Sequence, residues 1–169
     1  SLIKYELEKA IYFSKSGRPG PVLIDIPDNI QRVVIDKCKL KGFVSNKKDI
    51  QRIFPETKDV LSEFINLVNS AKRPVAIAGW GIHLSKTEEQ FVNLIRNLNI
   101  PVALTWGASD ILESQDNLYV GTFGTHGCRH SNFAVQNADL IISFGSRLDT
   151  KATGSPINTF ARSAKKIVI

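Results

Sequence analysis

From Pro74 onward, short unbroken apolar runs alternate with stretches whose apolar residues recur every three to four positions. Pro74-Val75-Ala76-Ile77-Ala78, Val102-Ala103-Leu104-Thr105, Leu140-Ile141-Ile142-Ser143-Phe144 and Lys166-Ile167-Val168-Ile169 are the runs. Between them lie Phe91, Leu94, Ile95 and Leu98, then a segment ending near Asn137, then Ile157, Phe160, Ala161 and Ala164, each spaced as one face of a helix. Strands that read as continuous apolar runs are buried on both faces, and strand–helix–strand order joins them in parallel. The pattern therefore predicts an α/β domain, a parallel sheet flanked by helices. Ser85 and Glu88 have capping-box spacing and are expected to open the helix through Leu98. A further helical stripe, Val60, Leu61, Phe64, Leu67, Val68 and Ala71, precedes the first strand.

The opening of the chain is different. Residues 3–15 carry Ile3, Leu7, Ala10 and Ile11 on one helical face, and Gly17 with Pro19-Gly20 stops the helix. Val22 to Ile26 then reads as a short strand closed by Pro27. A helix and a strand do not make a domain, so residues 1–27 are expected to be the remnant of a preceding one. Residues 28–56 have no firm period and read as a linker, with one short strand expected around Val33 to Ile35. Residues 57–169 form the regular domain. The sequence stops inside a strand, so both ends are expected to be cut.

Composition excludes several classes. Of 169 residues, 43% are hydrophobic and 22% charged, the balance of an ordinary globular protein. No apolar run approaches the roughly 20 residues that span a bilayer, and the start is charged rather than a signal peptide. A cytoplasmic protein with no membrane partner is the expectation. The net charge of +6 owes much to Lys37, Lys39, Lys41, Lys47 and Lys48. No arginine or aromatic interleaving accompanies them, so a solvated linker is expected rather than a nucleic-acid surface. Cys38 and Cys128 lie far apart with no metal-ligand spacing, and separate reduced thiols are expected.

Ligands of open parallel sheets lie beyond the carboxyl ends of the strands. Three segments there are unusual. Gly79-Trp80-Gly81 follows the first strand and permits close approach of backbone to a ligand, though it equally suits a plain tight turn. Gly121-Thr122-Phe123-Gly124-Thr125-His126-Gly127 feeds a helix N-terminus, where free N–H groups favour a phosphate. His126 there serves a ligand or only the loop; His83 and His130 carry no functional assignment. Gly145-Ser146-Arg147-Leu148-Asp149 follows the most apolar strand. Arginine offers a fork for phosphate or a flat face for a ring, and aspartate accepts from ribose hydroxyls or an amine; the alternative is a mutual salt bridge.

Gly17 to Pro27 resembles the end of the pyrimidine-binding domain of thiamine-diphosphate-dependent enzymes. Gly121 to Gly127, Asn132 to Ile142, Phe144 to Asp149 and Thr153-Gly154 resemble their central domain, with acetolactate synthase the nearest in character. The resemblance spans nearly the whole chain in order. It implies a Rossmann-like six-stranded sheet holding an FAD with no redox part in the main reaction. The contacts it implies are Gly79, Trp80, Gly81, Thr105, Phe123, Gly124, Thr125, His126, Gly145, Ser146, Arg147, Asp149 and Lys151. In four places this chain departs from the acetolactate synthase pattern. Thr125 and Ser146 stand where methionine and valine are usual, Trp106 where leucine is, and Lys151 where arginine is.

The implied parent decarboxylates a 2-keto acid such as pyruvate and transfers the two-carbon unit from thiamine diphosphate to an acceptor carbonyl. The cofactor glutamate and the Gly-Asp-Gly metal motif are absent here, so thiamine diphosphate and Mg²⁺ belong to the full-length parent and no catalysis is expected of this chain alone. Its expected partners are the nucleotide, the missing pyrimidine- and pyrophosphate-binding domains, and further copies in a homo-oligomeric parent. Two other classes stay open. One is a purely structural, oligomer-building central domain without nucleotide, as in pyruvate-decarboxylase-like relatives. The other is an NAD-dependent oxidoreductase, disfavoured because G-x-G-x-x-G is missing.

Overall fold

A computed structural model describes residues 2–17, 19–45 and 57–169. The chain divides into two compact units, residues 1–54 and 55–169.

In the first unit, α1 spans Ile3–Lys15 as the apolar spacing predicts. Phe43 packs edge-on to Tyr5 at 5.5 Å and against Tyr12 at 5.4 Å, and its N–H donates to Glu8 Oε2. Of the stretch read as a linker, residues 28–45 fold with α1 into this unit and carry α2 (Asp28–Gln31) and a 3₁₀ turn at Lys37–Lys39. The remainder, with Lys47 and Lys48, lies outside the described residues. The strands expected at Val22–Ile26 and Val33–Ile35 do not form. A strand exists only where a neighbour completes its ladder, and among the described residues none pairs with either segment; Leu23 is 88% exposed.

The second unit is a five-stranded, wholly parallel sheet. Its helix α3 (Thr57–Ser70) leads into β1 (Pro74–Ala78). Then come α4 (Gly81–Ser85), α5 (Glu88–Leu98), β2 (Val102–Leu104), β3 (Tyr119–Thr122), α6 (Arg129–Asn137), β4 (Leu140–Phe144), α7 (Thr150–Thr153) and β5 (Lys165–Val168). Strand order is β3-β2-β1-β4-β5. The two-faced burial expected of the strands is present in β1, β2 and β4, but not in the edge strand β5, where Val168 is 63% exposed. Ala76, Ala78, Val102, Leu104, Leu140 and Ile142 face one layer, joined by α5 and partly by α3. Val75, Ile77, Ala103 and Ile141 face the other, joined by Val135 of α6. Every one of these strand residues is at most 4% exposed.

Three local expectations change. The strand β3 enters the glycine-rich run, which carried no apolar signal. Gly121 sits in it at φ 99°, paired with Ala103 where the register shifts by one residue. Such a bulge is open to glycine and unreadable from hydrophobic period. Ser85 does not open a helix. It ends α4, its Oγ donating to Gly81 O (2.8 Å), while Lys86 at φ 56° breaks the chain before α5 starts. The stripe at 157–164 is no helix but a single 3₁₀ turn, Ile157–Thr159. Ala161 turns left-handed at φ 41°, and its N–H goes to Gln136 Oε1 at 3.0 Å. Phe160, Ala161 and Ala164 are nonetheless buried, so the apolar pattern marked three of its four residues correctly, while Ile157 is 66% exposed.

Asp139 ties the start of β1 to that of β4: its Oδ2 accepts from Lys72 N at 2.7 Å and its Oδ1 from Arg73 N at 2.8 Å. Desolvation pushes this carboxyl up, but the two backbone donors outweigh it and hold it below the ordinary carboxylate value. The stabilisation is therefore complete above the unfolded-state value near 3.8 and is lost as pH falls through the lower folded one. Asp139→Ala is expected to lower the urea stability by about 1 kcal/mol at neutral pH. The difference from wild type should shrink in acid.

Candidate functional site

The sheet reverses direction of build between β1 and β4, the switch point at which open α/β sheets place ligands. There the two exit loops are bound main chain to main chain. Gly79 N donates to Phe144 O and Gly81 N to Gly145 O, both at 2.9 Å. A Cβ on Gly79 would lie 2.5 Å from Gly145 O and from Ser146 Cα; one on Gly81 would lie 2.6 Å from Gly145 Cα. These glycines are required by the neighbouring loop itself, whatever else approaches them.

From this joint a circuit of contacts runs round the carboxyl edge. The Trp80 side chain lies against Gly107 of the loop after β2; a Cβ there would be 3.3 Å from Trp80 Cβ. Trp106 faces His126 with ring centroids 5.0 Å apart. Thr125 N and Oγ1 both donate to Lys151 O, at 2.8 and 3.0 Å. Lys151 N in turn donates to Asp149 Oδ1 at 3.0 Å, and Asp149 leads back through Arg147 to Ser146. Thr105 joins the circuit by its N–H, bonded to Ala78 O at 2.9 Å. All thirteen residues singled out in the sequence thus lie at one edge of one sheet.

They do not present themselves alike. Phe123 is 4% exposed and turned into the core beside Phe160, so only its backbone reaches this edge. Asp149 does not pair with Arg147. Its Oδ1 caps α7, accepting from Lys151 N and Ala152 N, because an aspartate in extended conformation ahead of a helix satisfies the first free amides. Arg147 is left exposed with no hydrogen bond or ion pair among the described residues. Trp80 and Trp106 are about half exposed, at 52% and 54%.

The glycine-rich loop is more occupied than its composition suggests. Gly124 N goes to Asn132 Oδ1, Gly127 N to Gly124 O and Cys128 N to Thr122 O. Among the described residues, no acceptor takes the backbone N–H of Trp80, His126, Ser146 or Arg147. At the head of α6, Cys128 supplies no side-chain cap, and its thiol, like that of Cys38, is free and exposed. Open amides, a free guanidinium and flat exposed rings together suit a ligand that combines phosphate with an aromatic ring system.

Two elements of the site escaped sequence reasoning. Asn132, eight positions beyond Gly124, holds that glycine by both its groups: Oδ1 accepts from Gly124 N at 2.8 Å and Nδ2 donates to Gly124 O at 3.0 Å. This holds the loop at φ 102°, where a Cβ would strike Lys151 O at 2.6 Å. No spacing rule marks such a clamp. Asn132→Ala is expected to cost about 1–2 kcal/mol in urea unfolding, with Asn132→Asp between the two because it keeps the acceptor alone. The second is His83, whose Nδ1 lies 2.8 Å from Glu88 Oε1 and whose Nε2 lies 3.0 Å from Asp110 Oδ1.

The sheet order defines a Rossmann-like α/β domain, and comparison with known proteins places it in a family. The profile of the thiamine pyrophosphate enzymes, central domain, matches residues 61–169. The chain belongs to the thiamine pyrophosphate enzymes, in their acetolactate-synthase-like branch. It is 33% identical over 95% of its length to a probable acetolactate synthase large subunit of Methanococcus aeolicus, covering 27% of that protein. A probable chloroplastic acetolactate synthase 2 of Oryza sativa subsp. japonica is 36% identical over 94% of this chain, and 24% of that protein is covered. The chloroplastic acetolactate synthase of Arabidopsis thaliana is 33% identical over 96% of this chain, again with 24% covered. The chain therefore spans about a quarter of the length of the curated relatives it matches. Among the described residues no helix is long and apolar enough to cross a membrane.

Proposed function

We propose that this chain is the nucleotide-holding central domain of an acetolactate-synthase-like enzyme, and that the nucleotide is FAD. The observation that carries the reading is the unbroken circuit of contacts joining Gly145, Gly79–Gly81, Trp80, Gly107, Trp106, His126, Thr125, Lys151 and Asp149 along one edge of the sheet. Arg147 and the open amides of Ser146 and His126 would hold phosphate; Trp80, Trp106 and His126 would flank the flat rings. The flavin supplies structure rather than electrons to the main reaction. Decarboxylation of a 2-keto acid and its carboligation belong to the parent with thiamine diphosphate and Mg²⁺, which works as a homo-oligomer of full-length chains, and the central domain has no activity by itself.

One observation favours a second reading, a central domain that only supports its neighbours. The close approaches of Gly79, Gly81 and Gly124 are accounted for by backbone of the same unit, with no ligand needed. Visible absorbance of the parent as purified separates the two. A flavin spectrum, with FAD retained over ADP and NAD in titration, supports the first reading. A colourless, fully active parent that binds no flavin nucleotide rejects it.

A further inference from the structure

His83 stands in α4 between two carboxylates from two other segments. Glu88 is in the first turn of α5, and Asp110 follows the 3₁₀ turn Trp106–Ala108 on the loop leaving β2. The imidazole is largely covered, 17% exposed, and the Trp80 ring lies 4.8 Å from it, centroid to centroid. Trp80 also rests on Gly107 of the loop that carries Asp110. One side chain thus joins the exit of β1 to the exit of β2.

Its chemistry is restrictive. Both nitrogens of a histidine donate only when the ring is an imidazolium; the neutral ring has one N–H and turns a lone pair on its other side. Two carboxylates cannot both accept from a neutral imidazole. No lysine or arginine among the described residues pairs with Glu88 or Asp110, and Lys86 meets His83 through main chain, its N–H on His83 O at 3.0 Å. The bond to Glu88 is the shorter, and Asp110 is the more exposed acid, at 71%. When the ring loses its second proton, Asp110 is the partner it releases.

We infer that His83 is a proton-dependent latch, holding the β2-exit loop to α4 through Asp110 and thereby setting Trp80 against Gly107 at the candidate ligand edge. The Glu88 bond, then burial acting against it, then the Asp110 bond set the balance, which holds the imidazolium above the ordinary histidine value of 6.5. Asp110 is held below its usual range by the His83 bond first and its own backbone second. The latch is therefore closed below 6.5, opens as pH rises through the raised value, and fails in acid only once the carboxylates protonate. That the latch would tune nucleotide binding rests on the reading given under Proposed function; the latch itself does not.

Two measurements on the chain without nucleotide test it. Long-range proton–nitrogen spectra resolve the imidazoles of His83, His126 and His130, with His83→Gln giving the assignment. His83 is expected to titrate above pH 6.5, and Asp110→Asn to lower its midpoint. In a Trp106→Phe background Trp80 is the sole indole, and its emission is expected to rise with the His83 midpoint as the quenching imidazolium is lost. A His83 midpoint at or below 6.5 in the unaltered chain, or Trp80 emission that stays flat while His83 titrates, overturns the latch. FAD titration of the parent at pH 6 and pH 9 then reads the dependent step. Equal affinity removes the link to the nucleotide and leaves the latch standing, and absence of binding at both pH values rejects the nucleotide reading alone.

Discussion

Gly145→Ala is expected to destabilise the second unit by about 3 kcal/mol or more in urea. Two effects add. Gly145 has φ 59°, the left-handed region that costs an L-residue with a Cβ about 1–2 kcal/mol. Its Cβ would also stand 2.7 Å from Gly81 Cα and 2.8 Å from Ile82 N, which are backbone atoms without rotamers to turn aside. The exit loops of β1 and β4 would have to separate, with the bond from Gly81 N to Gly145 O lost. Gly154→Ala is the control. It has φ 80° and nothing within 4 Å of an added Cβ, so only the conformational cost applies. A loss at Gly145 no larger than the roughly 1–2 kcal/mol of its left-handed backbone would show that the joint yields freely and that the clash is not what requires glycine.

Arg147→Ala is expected to do the reverse: leave stability unchanged and weaken flavin retention by the parent about 10- to 100-fold. Arg147 is exposed and bonds to nothing among the described residues, so the fold does not depend on its guanidinium. On the flavin reading, a charge-assisted bond to phosphate would account for a loss of that size. Lysine in its place should recover part of the affinity, because it keeps the charge but not the two-point fork. Flavin content and dissociation rate, measured beside the urea midpoint, check both halves. Undiminished flavin in a folded Arg147→Ala parent removes this residue from the site.

Legibility in the sequence followed from how local each signal is. The strands β1, β2 and β4 were readable because burial on both faces leaves an unbroken apolar run, as in Leu140–Phe144, whereas β5 lies at the sheet edge, largely exposed, and only its Ile167-Val168 pair marked it. Hidden from it was β3, since Gly121 at a bulge interrupts the run and the strand is completed only by Ala103 of β2. The stripe at Phe160 and Ala164 gave the right buried residues and the wrong backbone, because a periodic pattern reports which side chains face inward and not the φ of Ala161. Val22–Ile26 looks like a strand by propensity but finds no partner among the described residues. The grouping of the candidate site residues at one sheet edge was legible because glycine and charge cluster at strand exits. Its internal wiring was not: the Asn132 clamp, the Asp149 cap and the His83 bridge are made by residues far apart in sequence, whose meeting depends on the folded sheet.

The joint between the exits of β1 and β4 is made only of peptide groups, and that divides the edge into parts that can drift and parts that cannot. Main-chain bonds are indifferent to side-chain identity provided no side chain is there. Side chains at positions 80, 106, 125, 146 and 151 can therefore differ without entering the joint, while an added Cβ at 79, 81 or 145 would force its two loops apart. That requirement holds with or without a ligand, since the facing loop alone imposes it.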